Sequence, residues 1–587
     1  MTATPAPLRL RWLGRVAYPD ALALQHALWR GSGDYLLLLE HPHVYTLGVR
    51  ARREHVLPAA FESGAAIVKA DRGGDVTYHG PGQIVGYPIL DLPMGPGAVP
   101  AHVHRIEQLV IDVLGDLGVP DAGRLEEYPG VWVGVSGPDP RKICAIGVRV
   151  ARGRTMHGLA LNVEPDLEMF ANIVPCGIPD KPVTSLAAEG VRVSMHEVVD
   201  LMAARALQLL PTTAAGERGV ERYDAASPAA SVAGAEAHQV HQLPDQAPDQ
   251  DPDHVPASVA SAGAIPVEMR SLGRRLAASG VDLSASIGIR ERKPAWLRAP
   301  VKITPRSIGL RSMVRELGLV TVCEEAGCPN LSECWADGTA TFMINGERCT
   351  RACGFCLVDT RHPLALDEDE PEHVAEAVAR LGLAHAVITA VARDDLPDGG
   401  ASAFVATIEA IRRRSPGTAI EVLIPDCRGD AAALRTIFDA RPEVLNHNVE
   451  TVLRLQRAVR PSASYARSLS VLARAKSAGL VTKSGIILGM GETEPEVLAT
   501  LADLQSVGVD IVTIGQYLRP SARHLPVARW WTPEEFGRLA EAGRAMGLAH
   551  VEASPLTRSS YHAREAAGRA TAGPGIAGAR SLEVTAS

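Results

Sequence analysis

The 587-residue chain has no basic surplus: 59 lysines and arginines stand against 67 aspartates and glutamates, a formal net charge of -8. That balance argues against a general nucleic-acid binder, whose surface normally carries excess positive charge. No apolar run reaches the ~20 residues of a membrane-spanning helix, so no membrane partner is expected. The opening MTATPAPLRLRWLG lacks the charged, apolar, then small-residue order of a secretory signal, which points to the cytoplasm. Cysteine is scarce, with nine in all. In a reducing compartment such cysteines are metal ligands or nucleophiles more often than disulfides. Six of the nine, Cys323, Cys328, Cys334, Cys349, Cys353 and Cys356, crowd into one short stretch; only Cys144, Cys176 and Cys427 lie elsewhere.

What is present is ordinary for a globular protein: 46% hydrophobic and 21% charged residues. The length exceeds what one hydrophobic core supports, so several domains are expected. Residues 211–264 are rich in Ala, Pro, Asp, Gln and Ser and show no apolar periodicity, which predicts a disordered linker. It divides a first body, 1–210, from a second, 265–567; residues 568–587 read as a disordered tail. In the first body YPDALALQHALW has helical spacing, YLLLLE reads as a buried strand, and IVGYPILDL and KICAIGVRV are strand-like around the amphipathic 103–118. An α+β domain on a mainly β core follows. The second body alternates strand-like runs near 340, 385, 419, 444, 481 and 510 with helix-length segments such as 371–382 and 464–479. That alternation predicts parallel βαβ units in a barrel or partial barrel, with a doubly wound open sheet as the competitor.

Three segments of the first body carry chemistry. RGGDVTYHGPGQ (72–83) is glycine-dense: either a tight surface loop or a cradle in which backbone approaches a ligand. RKICAIGVRVARGRTMHGLALNV places Lys142 at the head of a strand. In ANIVPCGIPDKPVTS, Cys176 sits between Pro175 and Gly177, on a turn rather than in a core. Together these segments resemble the octanoyltransferases of the biotin/lipoyl-ligase-like fold, over nearly all of 8–210. The resemblance implies Cys176 as acyl-thioester nucleophile with Lys142 as its partner, and an ammonium beside a thiol does favour the thiolate. It also implies an acyl tunnel lined by Arg72, Gly73, Gly74, Asp75, Val76, Thr77, Tyr78, His79, Ala145, Ile146, Gly147, Gly158, Leu159 and Ala160. The donor would be octanoyl-acyl carrier protein, and the acceptor a lipoyl-domain lysine of 2-oxoacid dehydrogenases or the glycine cleavage H protein. An ATP-dependent lipoate or biotin ligase is the alternative within the same fold, and it needs no thioester. Cys144 reads as core.

In the second body CTRACGFC gives Cys349, Cys353 and Cys356 at C-x3-C-x2-C, directly after the strand-like ATFMI. Three thiolates leave one iron of a 4Fe–4S cluster open to an organic ligand; a zinc site is the plainer alternative. The spacing, with Phe355 before the last cysteine, resembles that of radical S-adenosylmethionine enzymes. The second trio, C-x4-C-x5-C, together with ARDDLPDGGA, VLNHNVETV, TKSGIILGMGE, TIGQYLRPSARHLPV and RSSYHA, narrows the resemblance to lipoyl synthases over 290–565. That family implies a second, auxiliary 4Fe–4S cluster on Cys323, Cys328 and Cys334, with a serine, Ser560 or else Ser559, as fourth ligand. It further implies sulfur insertion at C6 and C8 of a bound octanoyl chain, with ferredoxin or flavodoxin as electron donor. GMGE (489–492) reads as a cofactor contact or a turn. Arg393, Asp394 and Asp395 read as ligand contacts or as an ion-pair network, and Cys427 as packing. The whole chain is thus expected to run two consecutive steps of protein lipoylation. A non-catalytic, metal-stabilised fusion that binds partners is the reading from another class.

Overall fold

The computed structural model describes residues 7–93, 95–210, 220–225, 267–298, 316–317, 319–321 and 339–571. Cys323, Cys328 and Cys334 lie outside the described residues, as do most of the 211–264 stretch and everything after Thr571. The strands of the first half are β1 (Leu8–Arg15), β2 (Tyr35–Glu40), β3 (Val44–Leu47), β4 (Ala66–Lys69), β5 (Val76–His79), β6 (Gln83–Ile89), β7 (Ala122–Leu125), β8 (Tyr128–Val133), β9 (Arg141–Ala151), β10 (Arg154–Asn162) and β11 (Val220–Asp224). Eight of them form a mixed sheet in the order β11-β1-β2-β6-β10-β9-β8-β7, and β4-β3-β5 form a small second sheet.

Alternation of side chains along a strand explains why YLLLLE contains no polar residue before its last. Leu36 and Leu38 face one core with the helices Ala98–Asp116 and Met195–Leu209. Tyr35, Leu37 and Leu39 face another, against the helix Tyr18–Arg30. Both faces of the sheet are covered, so the strand is apolar on both. The predicted helix at 103–118 begins earlier, at Ala98, after the left-handed Gly97.

The expected linker needs one correction. Val220–Asp224 is strand β11, which pairs in parallel with β1 from Leu8↔Val220 to Trp12↔Asp224. Its polar sequence VERYD carries no core signal because it is held at a sheet edge, where backbone pairing does the binding. The assumed disorder of the tail likewise gives way as far as Thr571, where the helix Ala563–Thr571 ends.

The second half holds β12 (Val320–Thr321), β13 (Thr339–Ile344), β14 (His385–Ala390), β15 (Ala419–Leu423), β16 (Val444–Asn446), β17 (Val481–Leu488), β18 (Ile511–Gln516) and β19 (His550–Ala553). They pair in sequence order, parallel from β13 to β19, with β12 antiparallel on the edge. A strand order that never reverses is barrel winding rather than doubly wound winding, and among the described residues β12 and β19 are edges that do not close on each other, which makes it a partial barrel. The strand expected over 444–450 stops at Asn446, and β19, too short to show a pattern, was not anticipated. Among the described residues no helix is long and apolar enough to cross a membrane.

The two halves are not beads on a string. One buried cluster contains Leu24, Leu28, Leu37 and Tyr87 of the first half together with Val449, Leu469, Leu472, Leu504 and Ile514 of the second. The helix Tyr18–Arg30 thereby packs one face on its own sheet and another on the helix Tyr465–Ser477. Polar bonds cross the same seam: Arg11 forks onto Asp503 at 3.0 Å through both Nε and Nη2, and the Tyr35 hydroxyl donates to Ser506 at 2.8 Å.

Candidate active sites

In the first half the sheet opens onto a cavity of about 620 Å³, a size that suits a small organic ligand. Cys176 and Lys142 both line it. A backbone bridge brings them there: Val183, just past the cysteine turn, pairs with Lys142, whose N–H donates to Pro182 O and whose carbonyl accepts from Thr184 N, each at 2.9 Å. The Lys142 side chain is buried, with Nζ 4.7 Å from the centre of the Trp132 ring. Cys176 is half-buried at a φ of 57°, a left-handed backbone that a non-glycine residue adopts only where its surroundings impose it.

Most of the expected tunnel residues do line this cavity: Arg72, Gly73, Gly74, Asp75, Thr77, His79, Ala145, Ile146, Gly147, Gly158, Leu159 and Ala160. Val76 and Tyr78 do not. They alternate with Thr77 and His79 on β5 and so point to its other side, into a small core with Tyr45 and Phe170. RGGDVTYHGPGQ is therefore part strand, not simply a loop. Arg72 is turned away from a ligand-gripping role: its guanidinium donates to Thr46 O at 2.6 Å and Thr46 Oγ1 at 2.8 Å. Burial pulls the Arg72 pKa down, and the neighbouring Cys176 sulfur opposes that. Gly158 is needed for packing, since a Cβ there would lie 2.3 Å from Gly86 O.

The cavity also uses residues the sequence did not mark. Tyr18 opens the helix Tyr18–Arg30, Tyr87 lies on β6 and His157 on β10. His55 donates from Nδ1 to Asp75 Oδ2 at 2.7 Å, and that pair abuts Gly177, beside Cys176. These come from scattered elements, and no spacing connects them.

In the second half the loop bearing Cys349, Cys353 and Cys356 follows β13, at the C-terminal end of the parallel strands, where barrel sites form. All three are half-buried, whereas Cys144 and Cys427 are fully buried in cores, as expected. Cys349 Sγ accepts from the N–H of Ala392 at 3.3 Å and of Arg351 at 3.4 Å. Gly354 threads between Val459 O, to which its N–H donates, and Leu525, whose N–H it receives; a Cβ would meet the Leu525 side chain at 2.6 Å. Burial pushes the Cys356 thiol up to about 12 and Cys353 upward too, so cluster binding must displace their protons.

Whether these residues suit a cubane is testable on the geometry. Among the described residues no three Cys, His, Asp or Glu side chains converge on a single-ion position. A cubane holds its thiolates on separate irons, farther apart than a lone ion would. Backbone donors to a cysteine sulfur match cluster ligation, and the buried Asn448 Oδ1 at the strand ends has no donor among the described residues. The residues fit.

Other expectations sort cleanly. The N–H groups of Gly489, Met490 and Gly491 donate to Glu492 Oε2 of the same turn, so GMGE is a self-satisfied turn and not a cofactor cradle. Arg393 forks onto Asp395, and Asp394 holds Arg351 with two bonds of 2.7 Å: this is an ion-pair network. Ser559 Oγ accepts from Asn448 Nδ2 at 2.7 Å. Among the described residues no hydrogen bond to the Ser560 hydroxyl is seen.

Known proteins match both halves. Residues 17–206 match the lipoyl protein ligase A/B catalytic domain, and residues 343–504 the radical SAM superfamily. The lipoyl synthase of Rubrobacter xylanophilus is 57% identical over 278 residues, 47% of this chain and 87% of that protein. That of Mycobacterium leprae is 52% identical over 290 residues, covering 49% and 92%. The chain belongs to the lipoyl synthase family. It carries in addition a catalytic domain of the lipoate-protein ligase/octanoyltransferase type, consistent with a bifunctional lipoylation enzyme, and has radical S-adenosylmethionine and iron–sulfur chemistry in its second half. Among solved structures, the Thermoplasma acidophilum bipartite lipoate protein ligase aligns with a TM-score of 0.32 at 19% identity, over 38% of this chain and 88% of that one. Methylornithine synthase aligns with 0.30 at 15%, over 45% and 86%.

Proposed function

We propose that the first half carries an octanoyl group from acyl carrier protein on Cys176 to a lipoyl-domain lysine, and that the second half then inserts two sulfurs at C6 and C8. Cys176 attacks the carrier thioester, the carrier thiol leaves with a proton, and the acceptor amine then displaces Cys176. Lys142, buried in the same cavity, exchanges the proton in each half-reaction. Apolar side chains such as Val85, Ile146 and Leu159 line the cavity and suit an alkyl chain. The acceptors are the lipoyl domains of 2-oxoacid dehydrogenases and the glycine cleavage H protein.

In the second half Cys349, Cys353 and Cys356 hold one 4Fe–4S cluster. Cys323, Cys328, Cys334 and Ser560 hold the auxiliary one, Ser560 being favoured over Ser559 because the Ser559 hydroxyl already accepts from Asn448. Bound S-adenosylmethionine and the clusters supply the radical and the sulfur; ferredoxin or flavodoxin supplies electrons. The loop residues fix the first cluster at the strand ends, and Asn448 offers its carbonyl oxygen there.

The observation that carries the transferase reading over an adenylating ligase is the strained Cys176 sharing one cavity with a buried Lys142. Octanoyl-carrier protein, lipoyl-domain acceptor, S-adenosylmethionine and a reductant are supplied anaerobically and the acceptor mass is read. Octanoylation followed by a two-sulfur increment, both lost in Cys176→Ser, is expected. ATP-dependent transfer that survives Cys176→Ser would overturn it.

A further inference from the structure

The seam between the halves contains a charge network that ends beside the cluster cysteines. It begins at Asp20, in the first turn of the helix whose Tyr18 lines the acyl cavity. The Asp20 carboxylate is 4% exposed and faces the second half. Its Oδ1 accepts from Ser470 Oγ and from Arg474 Nη2, each at 3.0 Å, and its Oδ2 from Arg467 Nε at 3.2 Å. Arg474 also donates to Gly429 O, and a Cβ on Gly429 would lie 3.3 Å from both Asp20 oxygens, so Asp20 packs against the turn that follows β15.

That turn holds Asp426, fully buried. Arg467 Nη1 lies 3.7 Å from Asp426 Oδ2, an oxygen that receives no hydrogen bond among the described residues. Asp426 Oδ1 accepts from Arg351 Nη2 at 2.6 Å. Arg351 stands between Cys349 and Cys353, forks onto Asp394, and gives its own N–H to Cys349 Sγ. Three carboxylates and three guanidiniums therefore alternate from the first half into the cluster loop.

We propose that Asp20 is a positioning residue for the second half's cluster loop, acting through Arg467 and Asp426 on Arg351. The physical reason is competition. Asp20 holds Arg467 by Nε, so Arg467 gives Asp426 only a distant contact. Without the Asp20 charge, Arg467 is free to swing onto the unbonded Asp426 Oδ2 and draw that carboxylate from Arg351. The loop between Cys349 and Cys356 then keeps Asp394 but loses the buried Asp426, one of the two carboxylates that hold Arg351. The first half is on this account part of the radical site's scaffold. The inference rests on reading Cys349, Cys353 and Cys356 as cluster ligands.

The test is hydrogen–deuterium exchange on the full chain as purified, with Asp20→Asn, Asp20→Glu and Arg467→Met. Arg30→Ala is the control, since it removes a bond across the same seam, to Ser477, that touches nothing in this network. Exchange over 350–357 should rise about ten-fold in Asp20→Asn and return in Asp20→Glu, while Arg467→Met, which removes the competing guanidinium, and Arg30→Ala leave it within about two-fold. In Asp20→Asn the KM for S-adenosylmethionine should rise more than kcat falls. If exchange over 350–357 in Asp20→Asn matches that in Arg30→Ala, Asp20 is only interface glue and the inference fails. If Asp20→Asn does not fold, Asp20→Ser is compared with Arg30→Ala in the same way. Iron content in Cys353→Ser tests the ligand reading separately, so the two failures are distinguishable.

Discussion

Replacing Arg11 by methionine tests directly whether the halves form one folded body. The Arg11 and Asp503 side chains are 2% and 5% exposed, and two bonds of 3.0 Å join them across the seam. Methionine keeps the apolar stem and removes the charge. Among the described residues Asp503 then stays buried with the Tyr465 hydroxyl donating at 3.0 Å and the Tyr35 hydroxyl, bonded to Ser506, 3.3 Å away and able to turn to it. Removing one partner of a buried pair costs about 3–5 kcal/mol. The two phenols that remain solvate the carboxylate and put the expected loss at the low end, about 3 kcal/mol. At a few degrees per kcal/mol, the thermal midpoint should fall by about 6–12 °C. The assay is a circular-dichroism melt of the intact chain at fixed scan rate. Asp503→Asn added to Arg11→Met removes the stranded charge and should recover a large part of the loss, a coupling that independent sites would not show. A shift under about 2 °C for Arg11→Met, or a double variant no better than the single, would refute the shared-body argument.

Burial holds His41, His102 and His447 down to about 4, against an ordinary value of 6.5. Each is a base whose folded pKa lies below its unfolded one, so the unfolded chain binds the extra protons. Stability should therefore fall as pH drops from about 6.5 to about 4, by up to about 1.4 kcal/mol per pH unit per histidine; a midpoint that is flat across that window in pH-dependent melts would contradict it. Gly158→Ala forces a methyl group into Gly86 O and Pro88, and a destabilisation of about 3 kcal/mol with loss of octanoyl transfer is expected; wild-type melting and transfer would show that the strands can part cheaply. Ser560→Ala should lower bound iron or its sulfur-donor competence while Ser559→Ala does not, read by iron analysis and product mass; the reverse pattern would give the ligand role to Ser559.

Much of the architecture could be read from residue order because it rests on local pattern. Two-sided apolarity in YLLLLE, alternating strand and helix lengths after 339, and cysteines in a turn or at a strand end each follow from a short window. What stayed hidden depends on partners far away in sequence. Val76 and Tyr78 fell out of the cavity because the 72–83 segment is strand where it looked like loop, and alternation then turns every second side chain away. Glu492 satisfies the GMGE amides, a fact visible only once the turn closes. Tyr18, His55 and His157 join the cavity from separate elements. Strand β11, charged and short, gives no signal because an edge is held by backbone pairing.

The seam also changes what the fusion is for. A flexible tether between independent bodies would act only by raising local concentration, set by its length. Here Leu24 and Leu28 of one half lie in the same core as Leu469 and Leu472 of the other, and Arg11, Asp20 and Tyr35 all bond across. Packing of that kind fixes the acyl cavity relative to the strand ends that bear Cys349, Cys353 and Cys356. The helix Tyr18–Arg30 is the common member, lining the cavity through Tyr18 and bonding the second half through Asp20. If so, cutting the chain inside 226–264 should leave the halves associated and the rate of sequential lipoylation nearly unchanged. Loss of association on cutting would return the explanation to the tether.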